Sequence, residues 1–143
     1  MLRIVLAVGI AMMGPTLAKA ADAPRQAVVY KESSCGCCSG WVEYLEQHGW
    51  RVTVHDVDDL DAVKDRMGVP DQVRSCHTAK IGGYVIEGHV PIEAIDRLFR
   101  EKRKITGIAA PGMPQGSPGM SGRKEPNPIY TFGGGPSRLL GTY

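Results

Sequence analysis

Three of the four cysteines in this 143-residue chain fall within four consecutive positions, Cys35-Gly36-Cys37-Cys38, and the fourth is Cys76. Adjacent and next-neighbour cysteines pair poorly within the narrow geometry of a disulfide, so this crowding does not describe a disulfide scaffold. Something needs several sulfurs at one point. The patterns on either side say where in a fold that point lies.

Before the cysteines, QAVVYK (26–31) is short and β-branched between polar residues, the signature of a strand. After them, Trp41, Tyr44, Leu45 and His48 recur at the spacing of one helix face, and Gly49 is placed to end the helix. WRVTVHDV (50–57) is a second strand. A second helix follows with Leu60, Val63 and Met67 as its stripe, Asp59 as its cap, and Gly68 and Pro70 as its stop. HTAKIGGYVIEG (77–88) predicts two strands about Gly82-Gly83. PIEAIDRLFREKRK (91–104) predicts a helix with Ile92, Ile95 and Phe99 on one side and charges suited to the helix dipole. The order is β-α-β-α-β-β-α, an α/β chain whose cysteine turn joins the first strand to the first helix. From Gly107 the composition turns to Gly and Pro, which predicts a tail (107–143) with little regular structure, docked on the core by Ile129, Tyr130 and Phe132.

The first twenty residues have the pattern of an export signal. Arg3 gives a positive start, Ile4 to Met13 form a short apolar run, and Ala18-Lys19-Ala20 is a small-residue cleavage pattern. The run is shorter than the ~20 residues of a membrane span, and no later segment is apolar enough to form one. Cleavage after Ala20 leaves residues 21–143, with a core at 21–106, a length suited to one domain. Arg3 and Lys19 leave with the signal, so the 17 basic residues become 15 against 15 acidic ones. A neutral chain offers no electrostatic case for nucleic acid or for an anionic membrane surface. In an oxidising export compartment the four cysteines have to be disulfide-bonded, metal-bound or cycling between states.

Soft thiolates select Cu(I), zinc or iron–sulfur clusters. Zinc is best signalled by two separated C-x-x-C pairs, and only Cys35/Cys38 makes one here. Iron–sulfur ligation uses wider spacings. Three thiols on one turn do not easily surround a single ion, whereas thiolates can bridge several Cu(I) ions, so the pattern argues for multinuclear copper over one structural zinc. A plain Cys35/Cys38 redox pair and inert structural cysteines stay open beside it. The helix N-terminus lowers the pKa of a cysteine there and serves both chemistries equally. Among the histidines, His77 follows Cys76 directly and His89 precedes a helix, so both are candidate ligands. Strand alternation counts against His77. His48 and His55 suit packing or surface positions. Met113 and Met120, in the repeated phrase PGM, are thioethers able to contact Cu(I) or simply to fill gaps in a docked tail. Trp41 and Trp50 are expected as packing anchors.

Four phrases, CGCCSGW, VPDQVRSCHTA, GYVIEGHVP and GIAAPGMPQGSPGM, occur in this order across residues 28 to 120. Together they resemble the CopG-type copper-resistance family of exported proteins, which is unrelated to the DNA-binding repressors of the same label. The resemblance implies a thioredoxin-like fold, a periplasmic location, and copper, as several Cu(I) ions, held by Cys35, Cys37, Cys38 and Cys76. It also implies a part in copper redox handling; a passive carrier that hands copper to a copper-handling partner protein is a rival reading of the same cysteines. Thioredoxin-like redox enzymes carry a cis-proline before the third strand, where this chain has Cys76-His77. That departure weakens the alternative of a metal-free thiol–disulfide oxidoreductase with Cys35 and Cys38 as its pair.

Overall fold

The computed structural model describes residues 25–143. The export signal expected at residues 1–20 lies outside the described residues.

Strand β1 (Arg25–Lys31) is followed by α1 (Gly36–Gln47), β2 (Trp50–Asp56), α2 (Leu60–Met67), a single 3-10 turn at Asp71–Val73, β3 (His77–Ile81), β4 (Tyr84–Glu87) and α3 (Ile92–Glu101). This is the order expected from the stripes and alternations of the sequence. The strands lie in one seven-stranded sheet in the order β2-β1-β3-β4-β5-β6-β7. β1 pairs parallel to β2 and antiparallel to β3, and β3 pairs antiparallel to β4. Ala27, Val29 and Lys31 point alternately to the buried side of β1, as the period of two requires. β2 is an edge strand, and most of its residues are exposed. β3 is central: His77, Thr78, Ala79 and Ile81 are all buried, because both faces of the sheet are covered there.

The helices bury the predicted faces. Cys38, Trp41, Val42 and Leu45 form the inner side of α1, and Trp41 donates its indole N–H to the Val90 carbonyl at 2.9 Å. His48 falls outside that stripe; it is exposed at the helix C-cap, its Nδ1 2.7 Å from the Tyr44 carbonyl. Asp59 caps α2 by accepting from the Ala62 amide at 2.9 Å, and Gly68 closes it in the left-handed region. On the inner face of α2, Leu60 and Val63 are joined by a buried Lys64. The third helix stops at Glu101, with Lys102 in the left-handed region, three residues before the predicted end.

The segment after residue 106 departs from the expectation of little regular structure. It supplies β5 (Gly107–Ala109), β6 (Pro128–Phe132) and β7 (Arg138–Thr142), which extend the sheet beyond β4. Gly107 opens β5 against Val85, where a Cβ would sit 1.9 Å from the Val85 carbonyl oxygen, so the approach needs glycine. Ile129 and Phe132 are buried, the first in the main core and the second with Val69, Val73, Val85 and Ala109 in a smaller cluster. Tyr130 is half-buried beside that cluster. Tertiary pairing, rather than any long local pattern, makes these strands. Among the described residues, no helix is long and apolar enough to cross a membrane.

Candidate metal centre

Cys35 ends the turn after β1 and is the N-cap of α1; no side chain caps the exposed amides there. Cys37 and Cys38 lie in the first helical turn, so the positive end of the helix faces the sulfurs. Cys38 is fully buried, whereas Cys35 and Cys37 are half-exposed. Cys35 and Cys38 are joined as a disulfide, with Cα atoms 5.4 Å apart. Cys37 keeps a free thiol, its Sγ 3.6 Å from that of Cys35.

Cys76 comes from the other side of the sheet's end, in the bend between the 3-10 turn and β3. Cys38 Sγ lies 3.4 Å from the Cys76 carbonyl oxygen, which brings the two cysteine segments together. The Cys76 thiol is 3.0 Å from His89 Nε2 and 3.4 Å from His77 Nδ1. His89 Nδ1 stands 2.7 Å from the Pro118 carbonyl oxygen, which can only accept, so Nδ1 carries the proton. His89 therefore turns the lone pair of Nε2 towards the Cys76 sulfur, as a metal-ligating imidazole does when a backbone carbonyl accepts from the N–H of its other nitrogen. His77 is packed between Trp41 and His89, with ring centroids 4.6 and 4.9 Å away. Its Nε2 is buried without a hydrogen-bond partner.

Burial disfavours charge throughout this region, on the two imidazoles and on the Cys76 thiol alike. Burial holds His77 well below the usual imidazole range, and His89 and Lys64 push it further down. Burial also lowers His89, against the pull of Pro118. The Cys76 thiol is pushed up to about 12, first by burial and then by Cys37. Metal ligation displaces such a proton and couples binding to its release.

The ligand atoms of Cys35, Cys37, Cys38 and Cys76 all lie within 4.8 Å of one another, and so do those of Cys76, His77 and His89. Cys76 belongs to both groups. A soft-sulfur set with neutral imidazoles at one edge fits Cu(I), whereas carboxylate-preferring ions find no oxygen donor in either group. The fully thiolate form requires the Cys35–Cys38 disulfide to be reduced.

All four cysteines are thus brought together, and both His77 and His89 join them. His55 stacks on Tyr30 at the exposed sheet edge, with ring centroids 5.2 Å apart, and has no part in the site. Met113 is exposed and Met120 half-buried, both on the segment that wraps the centre. Gly112, next to Met113, accepts at its carbonyl from Ser75 Oγ at 2.7 Å, and Gly119, next to Met120, packs on the backbone of Gly40 and Trp41. Glu87, Lys64 and the Pro118 carbonyl also shape the site and are not among the candidates from the sequence. An acid in the apolar strand YVIE, and a lysine four residues after Leu60 on the inner helix face, were the available signals for the first two. Nothing local could have marked Pro118.

Comparison with known proteins gives two kinds of match. Residues 73–120 match a family described as protein of unknown function, DUF411. Two solved structures described as copper resistance protein CopG, Form 2 and Form 1, each share 41% identity with the chain. They cover 85% of this chain and 99% and 98% of their own, with TM-scores of 0.79 and 0.78. No curated protein matches.

Proposed function

The chain belongs to the CopG copper-resistance family, and from that premise we propose that it is an exported, periplasmic copper-binding protein serving copper tolerance. In this reading residues 21–106 are the thioredoxin-like copper-binding domain. Cys35, Cys37, Cys38 and Cys76 would hold several Cu(I) ions as thiolates, and His77 and His89 would supply nitrogen at the Cys76 edge. Met113 and Met120 offer thioether contacts from the wrapping segment. The centre then acts as a copper redox site or as a carrier that exchanges copper with a partner protein.

The observation that carries the reading is the convergence of four sulfurs, from segments 38 residues apart, within 4.8 Å of one another. Titrating the reduced chain anaerobically with Cu(I) against a competing chelator tests it. More than one copper per chain is expected, with Cu–Cu scattering in X-ray absorption. Saturation at one copper without such scattering rules the cluster out.

One observation favours a second reading. The Cys35–Cys38 disulfide at a helix N-terminus is the oxidised state that a thiol–disulfide oxidoreductase would carry. Under that reading the reduced pair reduces insulin disulfides at a rate unaffected by copper chelation. In the copper reading, disulfide and metal compete for the same sulfurs.

A further inference from the structure

Beneath the centre lies a buried ion pair that the proposed copper site does not itself use. Glu87, on β4, is fully buried, and Lys64, on α2, is nearly so. Glu87 Oε1 accepts from Lys64 Nζ at 2.6 Å and from the Ser75 amide at 2.6 Å. Its Oε2 accepts from the Thr78 hydroxyl at 2.6 Å, and that hydroxyl accepts in turn from Lys64 Nζ at 2.9 Å. Three donors and no acceptor face the carboxylate, the set that an ionised carboxylate satisfies. Isolated buried ion pairs are weak contributors to stability, and apolar replacements of similar volume often serve as well.

Its partners bracket one residue. Ser75 precedes Cys76 and Thr78 stands two residues after it, so one carboxylate grips the chain on both sides of that thiol. The same strand leads through Gly88, whose amide donates to the His77 carbonyl at 2.9 Å, to His89. The Glu87 carbonyl accepts from Ala110 at 2.9 Å, at the start of the segment carrying Pro118. Lys64, Ser75, Cys35 and Cys76 line a common cavity of about 300 Å³. We infer that Glu87, neutralised by Lys64, is a positioning residue that holds Cys76 in register with His77 and His89 for metal binding. The inference rests on the copper reading for its purpose, and on the hydrogen bonds alone for its geometry.

The test is the double variant Lys64→Met/Glu87→Leu, which removes both charges together and leaves neither buried alone. A merely structural pair would give a folded protein with an unchanged site. The positioning role predicts a folded protein in which Cu(I) affinity falls about 10- to 100-fold, the usual effect of losing an outer-shell partner. In the copper-free, reduced protein, Cys76 should alkylate about tenfold faster, while Cys37 keeps its rate, because only the Cys76 segment is released. Cys76 alkylation equal to that of the parent overturns the inference, as does an equal rise at both thiols. If the double variant does not fold, Thr78→Val removes one donor at nearly constant shape and should raise Cys76 alkylation about threefold. An unchanged rate there overturns the inference. Absence of copper binding by the parent protein sinks the copper reading and leaves the alkylation comparison to judge the positioning role alone.

Discussion

Cys37 is the residue that separates cluster from redox pair. It stands in the first turn of α1 as a free thiol, 3.6 Å from Cys35 Sγ, between two cysteines that are already bonded to each other. Disulfide exchange needs only the outer two, whereas a bridged cluster uses the sulfur between them. Cys37→Ser is close in volume and half-exposed, so circular dichroism and melting should be unchanged, within about 0.5 kcal/mol. Copper stoichiometry should nevertheless fall by at least one ion per chain. Unchanged loading in this variant favours the oxidoreductase. The cysteines were legible in the sequence because their chemistry is carried by spacing. Strand alternation counts against the candidate His77, but Cys76 sits in a bend and the period of two begins only at His77 itself. The two side chains are therefore free to meet. His89 depends on Pro118, 29 residues later, and no local pattern encodes such a contact.

Helix α1 and the wrapping segment meet through two glycines, and this contact gives a prediction with opposite signs within one element. A Cβ on Gly40 would lie 2.7 Å from the Gly119 carbonyl oxygen, whereas one on Gly36 meets nothing within 4 Å. Gly40→Ala must push the segment off the helix and should cost about 1–3 kcal/mol by overpacking. Gly36→Ala should instead stabilise by up to about 1 kcal/mol through helix propensity. Urea unfolding of the two variants reads the difference. In Gly40→Ala the protected His89 Nδ1–H signal should also weaken in NMR, since the displaced segment carries its Pro118 acceptor. Equal stabilities would mean that the segment does not press on α1. The helices and β1 to β4 were legible because each has a stripe or alternation long enough to recognise. β5 has three residues, Gly-Ile-Ala, and β6 and β7 stand among Gly and Pro, so composition points to loop, while successive pairing of β5 on β4, β6 on β5 and β7 on β6 makes them strands.

At the scale of the whole molecule, the question is whether the last strands belong to the fold that makes the site or merely lean on it. β6 and β7 bury Ile129, Phe132 and Leu140, and Asn127 is locked to Tyr143 by paired backbone hydrogen bonds of 3.1 Å. Asn127 also donates from Nδ2 to the His89 carbonyl at 2.9 Å, so the join between core and added strands passes directly behind a candidate ligand. Each buried side chain of this kind is worth about 1.5–3 kcal/mol. Three of them together are comparable to the whole stability of a typical domain, about 5–15 kcal/mol. A chain ending at Asn127 also leaves β5 as an open edge, since its partner β6 is gone. Such a chain should lose most of its cooperative melting transition, and its Cu(I) loading should drop even at temperatures where helix content persists. Circular dichroism melts and copper titration of the truncated and full chains would settle the point. A truncated protein that melts cooperatively within a few degrees of the full chain, with full copper loading, would make residues 128–143 separable from the fold that makes the site.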